Sequence, residues 1–156
     1  VIEARALAGH APGEDELESR TRHWYEAGLR RTAVEHLRDL QTIQTGVRAV
    51  AELMERCDVW LTPTLALPAI PLGAFDAGSE ETTVARYMAF SPYTRIANMT
   101  GCPAMSLPLH WTPEGIPVGA HFMGRMWEEE KLLGLAAQLE LAAPWRDRRP
   151  PVQVGA

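Results

Sequence analysis

Residues 98–124, NMTGCPAMSLPLHWTPEGIPVGAHFMG, decide how this 156-residue chain is read. Gly101 stands where a helix end adopts a left-handed conformation, and Pro103, lacking an amide proton, forbids that helix to continue. Residues 104–109 then form a short apolar run, interrupted by Ser106 and closed by Pro108. Thr112-Pro113-Glu114-Gly115 puts a fixed φ beside a permissive one, as a tight turn requires. From 116 to 123 the chain alternates: Val118, Ala120 and Phe122 fall on one face, Gly119, His121 and Met123 on the other. The pattern predicts a helix feeding a β-hairpin or a pair of neighbouring strands.

Outward from this stretch, the flanks supply helices. Glu128, Glu129 and Glu130 open a last helix at its favourable end, and Leu132, Leu135, Ala136 and Leu139 give it a face to bury before Pro144 stops it. Lys131 is spaced to pair with Glu128 on that helix. Upstream, residues 59–62 suit a buried strand ended by Pro63, 65–73 read as a proline-rich loop, and 76–82 as a polar loop tip around Gly78. Helical pieces are expected over 83–90 and 93–99. Residues 32–56 are the longest periodic segment, with Thr32 and Glu35 at capping-box spacing and a stripe of Leu40, Ile43, Val47, Val50 and Met54. Gly46 in that helix is expected to permit close packing, with the helix laid on a sheet. An earlier helix carries Leu17, Thr21, Trp24 and Gly28, with Glu14, Asp15, Glu16 and Glu18 crowding its first turns; residues 1–8 read as a helix tail. The fold class is α/β, strands of a mixed sheet covered by helices. Its single domain runs as a helical part (1–56), strand, loop and helix (57–101), hairpin and final helix (102–145) and an extended tail (146–156).

Bulk properties exclude several functions. The net charge of −5 offers no basic footprint for nucleic acid, and a composition of 46% apolar and 22% charged residues is that of a soluble globular protein. No apolar run approaches the roughly 18 residues of a membrane span. Cys57 and Cys102 have no metal or redox spacing, so a reducing cytoplasm is the expected compartment.

Nucleophilic catalysis needs a nucleophile with a base in reach. Ser19, Ser79, Ser91 and Ser106 all lie outside glycine-rich tight turns, and Ser79 reads as plain loop. His36 and His121 could serve Cys57 or Cys102 as bases, which keeps a small Cys–His hydrolase as a rival reading. His10, His23, His36, His110 and His121 never fall at ligand spacing, and no glycine-rich phosphate loop is present.

Three landmarks in order, Asp58-Val59-Trp60-Leu61-Thr62-Pro63-Thr64, Asn98-Met99-Thr100-Gly101-Cys102-Pro103-Ala104 and Gly115-Ile116-Pro117-Val118-Gly119, resemble the C-terminal part of the amidase signature family, and the helix of residues 129–139 fits the same place. The loop LTPTLALPAIPLGAFD, with Trp145 and Arg148-Arg149-Pro150, is most similar to the bacterial branch that includes 6-aminohexanoate-cyclic-dimer hydrolases. The resemblance implies hydrolysis of carboxylic amide C–N bonds, linear or cyclic, by two serines and a lysine base, with no metal or organic cofactor and a small-molecule amide as substrate. In the family those catalytic residues sit in a lysine-bearing segment and a glycine/serine-rich loop upstream of these landmarks. This chain begins at Val1 and holds one lysine, Lys131, so no catalytic residue is carried over and the chain alone is expected to be inactive. What carries over is a share of the acyl-binding wall at Thr64, Met88, Ser91 and Asn98. Strands cut from a larger sheet would expose edges through which the chain could self-associate. The alternative is a non-catalytic binding or oligomerisation module derived from an amidase tail.

Overall fold

A computed structural model of the chain describes residues 9–13, 15–75 and 78–149. Three strands pair antiparallel in the order β1 (Trp60–Pro63), β3 (Pro117–Met123), β2 (Ala104–Trp111). Among the described residues the helices are α1 (Ser19–Leu29), α2 (Ala33–Met54), α3 (Glu80–Phe90), α4 (Thr94–Thr100) and α5 (Glu129–Ala142).

The hairpin forms as its residues dictate. Gly115 takes φ 82° and donates its N–H to the Thr112 carbonyl at 2.9 Å, while the Thr112 N–H reaches the Ile116 carbonyl at 2.9 Å. Gly101 ends α4 at φ 74°, its N–H on the Ala97 carbonyl at 2.9 Å, and so delivers the chain into β2. Pro108 does not close that strand, which runs on to Trp111. Pro108 pairs with Gly119, and the register shifts between Pro108 and His110. A proline is tolerated there because β2 is an edge strand, where backbone donors have a partner on one side only.

Strand alternation sorts the core into two layers. On one face of β3, Phe122 meets Leu107 of β2 and Leu132 of α5, with Met105, Ala120, Leu135, Ala136, Leu139 and Trp145 around them. On the other, Met123 packs with Met54 of α2 and Ala97 of α4, joined by Val50, Trp60, Ile96 and both cysteines. Arg125, in the connection from β3 to α5, ties the second layer down. Its Nε donates to the Met54 carbonyl at 2.9 Å and its Nη2 to the Cys57 carbonyl at 3.1 Å, placing a cation on carbonyls at and just past the C-terminal end of α2. Lys131 pairs with Glu128 at 2.9 Å and Asp58 at 3.4 Å, an exposed arrangement that solvent screens.

Elsewhere the helices depart from expectation. α1 starts at Ser19, so Asp15, Glu16, Leu17 and Glu18 precede it and its first turn holds no acidic residue. The Glu16 carboxylate instead accepts the Gly13 N–H at 2.7 Å and closes a turn. Glu14 lies outside the described residues, as do residues 1–8, 76–77 and 150–156. Thr32 and Glu35 do form the capping box that starts α2. Of the α2 stripe, however, Met54 is 2% exposed while Leu40 is 39% and Ile43 37% exposed. Among the described residues only the C-terminal end of this 22-residue helix reaches the core. A Cβ on Gly46 would meet nothing within 4 Å, so that glycine serves no close approach among the described residues. α3 begins at Glu80, earlier than expected, because the Ser79 hydroxyl accepts the Thr82 N–H at 3.2 Å and caps it. Ser79 is therefore a helix cap and not loop. No described helix is long and apolar enough to cross a membrane.

Candidate functional site

The sheet face opposite α5 gathers hydroxyls. Register places Ser106 and Thr62 beside His121, from the two strands that flank β3. The Thr62 hydroxyl is 3.2 Å from His121 Nδ1, and the Thr64 hydroxyl is 2.6 Å from that of Ser106. Thr64 lies just past β1, yet its N–H still reaches the Gly119 carbonyl at 2.9 Å. The Thr64–Ser106 bond crosses directly over Gly119, where a Cβ would collide with both oxygens. Glycine here is a requirement of space, not of backbone conformation.

Of the four positions expected on a pocket wall, the structure links three. Ala66 N–H donates to the Phe90 carbonyl at 2.9 Å, tying the loop after Thr64 to the end of α3. Met88 and Ser91 belong to that same end, where Arg95 of α4 donates to their carbonyls at 3.2 and 3.4 Å. The Ser91 hydroxyl is 3.1 Å from that of Thr94. Met88 is 40% exposed. Asn98 follows Arg95 along α4 but is exposed, and its side chain has no hydrogen-bond partner among the described residues. Ser106, Gly119 and the Thr62–His121 pair were missed by sequence reasoning. The β3 alternation put Gly119 and His121 on one face, but the register that brings Thr62, Thr64 and Ser106 to them is not written in any one segment.

A cleft against α4, lined by Trp60, Thr62, Tyr93, Ile96, His121 and Met123, encloses only about 10 Å3, room for roughly one water molecule. At the turn end of the hairpin a broader cleft is lined by Pro108, Trp111, Ile116 and Trp145, with the Arg148 guanidinium 3.9 Å over the Trp111 ring. The first brings the Thr62 hydroxyl to His121, and neither brings a serine or cysteine to a base. Cys57 Sγ faces the Leu53 carbonyl at 3.9 Å and Cys102 packs in the Met123 layer, while His121 Nδ1 is engaged by Thr62. Glu128 and Asp58 raise the Lys131 pKa above its usual value and hold the amine protonated, the wrong state for a base. Among the described residues no group of three His, Cys, Asp or Glu side chains converges on a metal position.

Known proteins resemble this chain in sequence and in fold. Residues 9–133 match the model of the family described as Amidase. A Mycobacterium tuberculosis protein named as amidase AmiB2 is 33% identical over 142 residues, which cover 88% of this chain and 30% of that protein. A Mycobacterium leprae protein named as amidase AmiC is 38% identical over 98 residues, covering 63% of this chain and 21% of its own length. The solved structure of 6-aminohexanoate cyclic dimer hydrolase superposes with a TM-score of 0.86 at 23% identity, over 97% of this chain and 33% of that one. The chain thus spans about a third or less of the proteins it matches.

One titration follows from the site. His121 is 6% exposed, and burial lowers its pKa below the usual 6.5. The unfolded chain therefore binds a proton that the folded chain resists, and stability falls as pH drops below 6.5 through the folded value, with no contribution above it. Urea unfolding at about pH 7.5 and about pH 5.5 is expected to show a smaller acid loss for His121→Gln than for the parent. Equal losses would refute the assignment to His121.

Proposed function

Because this chain belongs to the amidase signature family, we propose that the intact protein hydrolyses carboxylic amide C–N bonds and that this chain builds part of its scaffold and substrate pocket. The match of residues 9–133 to the family carries the proposal. The nucleophilic serine, its serine partner and the lysine base are assigned to sequence upstream, in the part of the relatives that this chain does not span. Supporting that assignment, each described serine hydroxyl with a hydrogen bond has another task. Ser79 caps α3, Ser91 meets Thr94, and Ser106 meets Thr64. Lys131 is held protonated. The chain by itself is then inactive, and the intact enzyme needs no metal or organic cofactor.

Thr64, Met88, Ser91 and Asn98 are proposed as this chain's contribution to the acyl-binding wall. A side chain on such a wall discriminates by the space it leaves, with roughly 1–3 kcal/mol at stake per methylene. In the full-length protein, Met88→Trp is expected to raise KM for long-chain amides more than for acetamide-sized ones. Its unfolding temperature should stay near the parent's, because Met88 is 40% exposed. A substrate ranking identical to the parent's would remove Met88 from the wall.

The apolar surface left on the helices supports a second expectation. Leu37 on α2 and Leu133 and Leu141 on α5 are 59%, 69% and 85% exposed, apolar area that association would bury. We expect the 156-residue chain alone to self-associate in sedimentation experiments. A monodisperse monomer would instead favour an independent domain, and with it the non-catalytic reading.

A further inference from the structure

Thr64 is held from two sides. Its main chain is fixed by the 2.9 Å bond from its N–H to the Gly119 carbonyl, and its side chain by the 2.6 Å contact with the Ser106 hydroxyl. The two hydroxyls come from opposite edges of the sheet and meet across the central strand. They can do so only because position 119 has no Cβ to keep them apart. A threonine past the end of a strand would otherwise exchange between χ1 wells and present hydroxyl or methyl by turns. With one hydrogen-bonding direction taken by Ser106, the Thr64 hydroxyl keeps a further donor or acceptor direction for something else.

We propose that Ser106 is a positioning residue for substrate binding: it fixes the side chain of Thr64 so that a constant hydroxyl and methyl surface faces the acyl group of the amide. This rests on Thr64 belonging to the pocket wall, as proposed above. Ser106 itself touches no substrate and takes no part in bond cleavage. Its effect is on ground-state and transition-state binding alike, so it acts on KM and leaves kcat nearly alone.

The test uses the full-length protein and a small amide whose turnover is measurable, with Ser106→Val and Ser106→Thr as the principal pair. Both replacements are β-branched and suit a strand, so they differ in the hydroxyl and not in shape. Ser106→Val is expected to raise KM by roughly two- to tenfold, the range that one net hydrogen bond allows, with kcat close to the parent's. Ser106→Thr is expected to restore the parent KM. Thr64→Val should raise KM similarly, and adding Ser106→Val to it should cost little more, since both remove the same interaction. If Thr64→Val raises KM and Ser106→Val does not, the positioning role is overturned while the pocket wall stands. Additive effects in the double variant would also overturn it, by showing that the residues act separately. An unchanged KM in Thr64→Val would remove the wall assignment and this inference together.

Discussion

Strand β3 has to be satisfied on four sides, and the rest of the structure is arranged around that constraint. Its backbone pairs with β1 along one edge and β2 along the other, and its side chains alternate between two layers. Phe122 and Ala120 look to α5, whereas Met123, His121 and Gly119 look to the opposite side. A one-residue slip would send Phe122 into the hydroxyl cluster and His121 under α5, so burial on the α5 side holds the register firmly. Gly119 adds a second lock, because the Thr64–Ser106 contact needs the glycine directly beneath it.

From that arrangement follows what this chain can and cannot contribute to chemistry. It offers a face of hydrogen-bonded hydroxyls, a buried imidazole whose pKa burial lowers, and helix ends pinned by arginines. Arg125 holds the end of α2 and Arg95 the end of α3. Charged donors on main-chain carbonyls are worth more than exposed ion pairs, so these two arginines stabilise the framework more than the Lys131 pairs do. Such a framework suits the task of positioning a pocket wall. Among the described residues no serine or cysteine side chain is hydrogen-bonded to a histidine or to Lys131.

Much of this was legible in local sequence. The α4 stop at Gly101, the 112–115 turn, the β3 alternation, the α2 capping box and the buried face of α5 each depend on residues within a few positions of one another. Failures came where a local signal had a competitor. Pro108 reads as a strand end unless β2 is known to be an edge. Glu16 reads as part of a helix start until its carboxylate is found closing a turn on Gly13. The α2 stripe is real, but a stripe states which face is apolar and not what will cover it. The hydroxyl cluster was the least legible, since Thr64 and Ser106 lie 42 positions apart and meet only through the pairing of both edges with β3.

The division of labour between scaffold and catalytic machinery is open to one direct measurement. The full-length protein would be treated with a fluorophosphonate, which forms a covalent bond with an activated serine, and the modified peptide identified by mass spectrometry as amide hydrolysis is lost. The expected label falls on a serine outside residues 1–156. A label on Ser19, Ser79, Ser91 or Ser106, gained in step with the loss of activity, would contradict that division and place the nucleophile in this chain.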